Sequence, residues 1–217
     1  TYDVDGMVGF FRRHGLDAAR AGSLFDRGPT YRGRVDGLPT EYRRLIEDDL
    51  LRIGGKDWRV IVGYGHSPEH ASLYCAELNV LISGDMLLPR ISTNVSAMSS
   101  NPDGDPLGWF LDAVERLTEL PDDTLVLPSH GRPFRGIHAR AAQLAEHHRE
   151  RFEALVAACD TPKSAGDLIT TLFKRDLDAH QIMFAMGESI AHLNYLEHAG
   201  RLRRTQGASG VFRFVAI

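Results

Sequence analysis

The feature that most narrows the fold is a repeated pattern in which three short apolar runs each stop at a residue able to hold a metal. Trp58 to Val62 leads into Tyr64-Gly65-His66-Ser67-Pro68-Glu69-His70, Asn79 to Ile82 into Ser83-Gly84-Asp85, and Thr124 to Leu127 into Pro128-Ser129-His130-Gly131. The runs are short and rich in β-branched residues, as buried strands are. If those strands share a sheet, their three endings can meet at one edge.

The chemistry asks for what those endings supply. Neutral imidazole and carboxylate are good ligands for zinc and also suit iron or manganese, and two His with one Asp leave coordination positions open for water. A catalytic metal needs that opening, because it lowers the pKa of the water and polarises the bond to be cleaved. The Gly and Pro neighbours suit tight strand-to-loop exits that hold a ligand close to the metal. A lone His after a strand is more often a packing or capping residue. Three ligands in matching contexts are the stronger sign.

The order of these segments resembles the second half of the metallo-β-lactamase superfamily, where Gly-His-Ser/Thr, Ser/Thr-Gly-Asp and Pro-Gly-His-Gly segments follow one another. The similarity runs from about Trp58 to Gly136, with Ser129 standing where a Gly is usual. The resemblance implies an α/β fold, the second half of an αββα sandwich. It implies a hydrolase with two zinc ions, iron or manganese being possible, in which His66 holds one metal, Asp85 bridges both and His130 holds the second. A water activated there would attack an ester, thioester, lactone or phosphodiester of a small-molecule substrate. His70 is implied to contact substrate or to stand behind the ligands, a surface His being the plain alternative.

One departure is large. The superfamily's upstream His-X-His-X-Asp-His cluster is absent, and His14 stands alone before residue 66. The expectation is a dinuclear hydrolase as parent protein and a chain that, with too few ligands for tight binding, is a poor catalyst or none. The opening Thr1-Tyr2-Asp3-Val4, without Met, reads as though the first half of the domain had been cut away. Half of a two-sheet sandwich would expose an apolar sheet face and favour self-association.

Composition fits an ordinary soluble protein. The 217 residues suit one large or two small domains, and a hydrophobic fraction of 43% supplies a sizeable core. A net charge of -4 gives no general attraction to nucleic acid or anionic membranes. No apolar stretch approaches a membrane span, and no secretory leader is visible. Cys75 and Cys159 lack a zinc-knuckle or redox pattern, so packed reduced thiols and a cytoplasmic location are expected.

Along the chain, Asp5 to Arg13 and Asp17 to Phe25 suggest helices broken at His14-Gly15, and Arg27 to Thr40 a loop. Leu45 to Ile53 with Trp58 to Val62, and Ala71 to Leu78 with Val80 to Ser83, suggest strand pairs. Leu107 to Leu120 has helical periodicity. These belong to a partial sandwich domain, residues 1–136. From Ile137 the character changes to a helix through Ala158, a short helix opening at Thr161-Pro162-Lys163-Ser164, a longer one from Asp178 to Gly200, and a hairpin over Arg201 to Ile217. That order resembles the small winged-helix domain appended to one branch of the superfamily, and assigns residues 137–217 to it. The adjacent His147-His148 pair is expected to be solvated.

A winged helix raises a nucleic-acid-binding or RNA-cleaving alternative. The third helix, however, offers Gln181, Glu188, His192, Asn194, Glu197 and His198, with no Lys or Arg before Arg201. The arginines Arg201, Arg203, Arg204 and Arg213 on the hairpin are more often solvated surface than phosphate track. A non-catalytic remnant is the remaining alternative. Ser67, Ser83 and Ser129 lack a nucleophile elbow, which argues against a serine hydrolase.

Overall fold

The computed structural model describes residues 4–25, 37 and 39–217, so most of the loop expected over Arg27 to Thr40 lies outside the described residues. In chain order the first elements are α1 (Val4–Arg13), α2 (Ala18–Phe25), β1 (Leu50–Ile53), β2 (Lys56–Gly63), β3 (His70–Cys75) and β4 (Val80–Gly84). They are followed by α3 (Pro106–Leu117), β5 (Leu125–Pro128), α4 (Ile137–Ala158), α5 (Ala165–Leu172), α6 (Ala179–His198), β6 (Leu202–Gln206) and β7 (Phe212–Ala216). The chain divides into two compact units. One is Arg43–Val95 with Pro106–Arg149, and the other is drawn from Thr1–Tyr42, Ser96–Asp105 and Glu150–Ile217.

The first unit is built on a five-stranded sheet in the order β1-β2-β3-β4-β5. Strands β1 to β4 pair antiparallel in succession, and β5 joins β4 in parallel. Two antiparallel steps make β2 parallel to β4, so β2, β4 and β5 all end at the same side of the sheet. Side chains alternate between the two faces. Ile61 and Ser72 share a small cavity with Ala113, Arg116 and Leu117 of α3, and Leu81 and Val126, on the same face, are fully buried. The opposite face carries the buried Val60, Val62 and Cys75 together with Leu51, Trp58, Leu73, Val80, Ile82, Leu125 and Leu127. It is apolar yet only partly covered, with Ile53 and Ile82 exposed.

Helix α4 buries Ala141, Leu144, His148, Phe152 and Leu155, an i, i+3, i+4 stripe. His148 is therefore not the solvated residue that adjacency to His147 suggested. Its ring lies edge-on to Phe110, with centroids 6.2 Å apart.

In the second unit α1, α2, α5 and α6 pack together, and β6 and β7 form an antiparallel hairpin after α6. Capping boxes open two of these helices, Ser164 with Asp167 for α5 and Asp178 with Gln181 for α6. The expected helix start around Pro162 is corrected by three residues. Lys163 exchanges backbone hydrogen bonds with Phe214, which holds the chain extended until Ser164 caps the helix. Cys75 and Cys159 are buried free thiols, and burial pushes Cys159 up to about 11. No helix among the described residues is long and apolar enough to cross a membrane.

His14 ends α1 inside this unit. Its Nδ1–H donates to the Phe10 carbonyl at 2.9 Å, and its ring meets Phe10 and Phe212 at centroid distances of 4.5 and 5.2 Å. Nε2 is buried without a partner. Burial foremost, against the helping Phe10 carbonyl and with Arg204 and Arg13 adding to it, depresses the imidazole from 6.5 to about 4. The unfolded chain therefore binds the extra proton first, and stability is lost as pH falls from about 6.5 towards 4, by about 3 kcal/mol at most. Urea unfolding across this window should show that loss in the wild type and a shallower one in His14→Phe, which keeps the ring packing. Equal pH slopes for the two proteins would refute the assignment.

Candidate metal centre

The three strand endings converge as the parallel alignment requires. His66 follows β2, Asp85 follows β4 and His130 follows β5, each beside a glycine in the left-handed region: Gly65 at φ 98°, Gly84 at 52° and Gly131 at 87°. Gly65 is needed for space as well as for its dihedral. A Cβ there would lie 2.3 Å from the Pro106 carbonyl oxygen and 2.6 Å from the Phe110 Cβ, so β2 turns directly beneath the start of α3.

Asp85 is the centre of the group. Its Oδ2 lies 3.3 Å from His66 Nε2, and its Oδ1 lies 3.5 Å from His130 Nε2. One carboxylate is thus shared by two imidazoles, His66 half-buried and His130 exposed. Ser129 Oγ donates to Oδ1 at 2.6 Å, and Thr93 Oγ1 donates to the Asp85 carbonyl at 2.5 Å. His70, at the start of β3, accepts the Asp85 backbone N–H on Nε2 at 3.2 Å. Burial lowers the His70 pKa, with His66 adding to the effect and Asp85 opposing it.

The protonation of His66 decides what this arrangement wants. Its Nδ1 lies 2.8 Å from the Asn94 carbonyl oxygen, which can only accept, so Nδ1 carries a proton. In the neutral ring Nε2 is then a bare lone pair facing a carboxylate oxygen. Two electron-rich atoms at that range call for a cation between them, either a second proton or a metal ion. Donation of the distal N–H to a backbone carbonyl is also the usual support of a metal-binding histidine. Donors held about 2.0 to 2.2 Å from a tetrahedral zinc lie roughly 3.3 to 3.6 Å from each other, the spacing seen on both sides of Asp85. The donor chemistry fits a divalent metal, but the donor number does not close a site. Among the described residues no group of three or more His, Cys, Asp or Glu is arranged to hold a metal ion by itself.

Sequence reasoning thus found the residues that meet, His66, Asp85, His130 and the neighbouring His70. It missed Asn94, Thr93 and the bond from Ser129. Ser129 sits beside a ligand and could have been read as its support, whereas a backbone carbonyl such as that of Asn94 has no signature in side-chain identity.

Comparison with known proteins identifies the family. The family described as "Metallo-beta-lactamase superfamily" matches residues 6–130, and "Metallo-beta-lactamase-like, C-terminal domain" matches residues 152–217. The chain belongs to the metallo-β-lactamase superfamily. A beta-lactamase domain protein from Burkholderia ambifaria is 48% identical with a TM-score of 0.89, over 95% of this chain and 60% of that one. A metallo-beta-lactamase family protein from Thermus thermophilus is 32% identical with a TM-score of 0.78, over 95% and 62%. "Probable metallo-hydrolase YqjP" of Bacillus subtilis (strain 168) is 28% identical over 159 residues, 71% of this chain and 49% of that protein. The chain therefore spans about half to three-fifths of the length of these relatives. Members of the superfamily usually bind divalent metals such as zinc.

Replacing Gly65 by Ala should destabilise the protein by about 3 kcal/mol or more, through backbone strain and the clash under α3. Chemical denaturation measures the loss. A cost below about 1 kcal/mol would show that the β2 exit is not held in this tight path.

Proposed function

We propose that this chain carries part of the dinuclear centre of a metal-dependent hydrolase, with His66 a ligand of one metal, Asp85 shared between the two and His130 a ligand of the second. The observation that supports the reading is the placement of His66 Nε2 3.3 Å from a carboxylate oxygen of Asp85, with its other nitrogen committed to the Asn94 carbonyl. A divalent metal, zinc first and iron or manganese as alternatives, would supply Lewis acidity and a water of lowered pKa. The chain's own residues supply the rest. Asp85 spreads its negative charge over two flanking imidazoles, Ser129 steadies one of its oxygens, and Asn94 sets the tautomer of His66. The exposed side of His130 leaves the group open to solvent and to a substrate. The bond attacked is that of an ester, thioester, lactone or phosphodiester in a small molecule. Catalysis requires further ligands, because the donor set among the described residues is incomplete.

For residues 137–217 we propose the winged-helix arrangement, acting in packing rather than in nucleic-acid binding. The side chains that would have to enter a nucleic-acid groove are spent elsewhere. Glu188 pairs with Arg151, His192 is fully buried with its Nδ1 on the Glu188 carbonyl, and Asn194 donates to the carbonyls of Pro102 and Gly104. Three of the four hairpin arginines are committed too. Arg201 forms a two-bond pair with Glu153, Arg204 meets Asp103 and Glu197, and Arg213 meets Asp167. These pairs support a neutralised surface rather than a phosphate track.

Zinc added to chelator-free protein should raise its melting temperature, as a ligand selective for the folded state must. That shift should disappear in Asp85→Ala and shrink in His66→Ala, with elemental analysis following the same order. A shift that survives in Asp85→Ala, or none in the wild type at any zinc concentration, would remove these residues from the metal site.

A further inference from the structure

We infer that His70 is a positioning residue, which holds the backbone N–H of Asp85 and so sets the turn that presents the Asp85 carboxylate to His66 and His130. The inference rests on the reading of Asp85 as a metal ligand only for its functional consequence, since the hydrogen bond itself is a matter of geometry. Nε2 of His70 lies 3.2 Å from the Asp85 nitrogen, and a backbone N–H can only donate. That nitrogen must therefore be bare and the ring proton must sit on Nδ1, which is buried.

The turn is shaped around this ring. Gly84 adopts φ 52°, and a Cβ on it would stand 2.6 Å from both Cε1 and Nε2 of His70, so the imidazole occupies the space any side chain at position 84 would need. The register of β4 against β5 shifts at the same place, between Ile82 and Gly84, and the Gly84 carbonyl then accepts the Ser129 N–H at 3.1 Å. The ring thus braces the Gly84-Asp85 peptide from one side, while the loop that carries Ser129 and His130 hangs on the other side of the same turn. His70 itself is anchored at the start of β3, opposite Gly63 at the end of β2. A single side chain at a strand start consequently ties the β2 end to the Asp85 turn, on which the β5 exit depends.

The nearest alternative is a ring that merely fills space, and phenylalanine tests it because it has the bulk without the acceptor. Glutamine places an acceptor near the Nε2 position. In protein labelled with nitrogen-15, His70 should show the Nδ1–H tautomer and a scalar coupling across the hydrogen bond between the Asp85 amide nitrogen and Nε2. The Asp85 amide should exchange with solvent at least about tenfold faster in His70→Phe and near the wild-type rate in His70→Gln, with exchange of the core Val60 amide unchanged in both. Zinc affinity should fall by about tenfold or more in His70→Phe, the scale of losing an outer support of a ligand, and recover in His70→Gln. An Nε2–H tautomer, no coupling, or wild-type Asp85 exchange in His70→Phe would overturn the inference. The coupling is measured on the wild type, so it decides the matter even if the phenylalanine variant fails to fold. Absence of zinc binding by the wild type would overturn the functional part through the metal assignment, while the coupling separately settles the bond.

Discussion

The arrangement around Asp85 depends on one directional constraint, that β2, β4 and β5 run the same way. Loops leaving parallel strands emerge at a common edge, which is why open α/β sheets place their sites outside the carboxyl ends of strands. Here the alignment is reached by two routes. Hairpin pairing through β3 makes β2 parallel to β4, and a crossover that includes α3 makes β5 parallel to β4. Strand pairing fixes the edge to within a few ångströms, and the glycines at the exits turn each backbone sharply enough for short side chains to meet. A single reversed strand would move one of the two imidazoles to the far end of the sheet.

Electrostatics explains why such a meeting needs the surrounding hydrogen bonds. A half-buried carboxylate is stable only if its charge is answered. Asp85 finds one hydroxyl, two imidazole edges and a fixed backbone, and none of these is a permanent cation. The group therefore retains attraction for a proton or metal. Three arginines of the hairpin show the opposite case, because Arg201, Arg204 and Arg213 each have a carboxylate at ion-pair distance. These three positive charges are answered, while the negative charge at the strand ends is met only by imidazoles and a hydroxyl.

That contrast marks how much was legible in the sequence. Strands ending in Gly-His, Gly-Asp and Ser-His were legible because burial and turn chemistry both leave residue-level traces, and the meeting of His66, Asp85 and His130 followed. The helix over 106–117 and the cap at Asp178 were legible for the same reason. The start of α5 was not, since Pro162 signals a helix start while the pairing of Lys163 with Phe214, some fifty residues away, delays it. The burial of His148 was missed because adjacency was weighed and the stripe of Ala141, Leu144 and Phe152 around it was not. Hydrogen bonds to the carbonyls of Asn94 and Asp85 stayed hidden because every residue has a carbonyl.

Three histidines of this protein stand in different physical settings, and the partner of each nitrogen separates them. His14 gives one nitrogen to its own helix and buries the other against aromatic rings, which leaves it neutral and chemically idle. His70 gives one nitrogen to a backbone amide, which makes it a brace. His66 gives one nitrogen to a carbonyl and turns the other towards the Asp85 carboxylate, which His130 also faces, and a cation placed between these atoms would be stabilised. The count of histidines in the sequence therefore says little about metal binding, whereas the partners of each ring nitrogen say much.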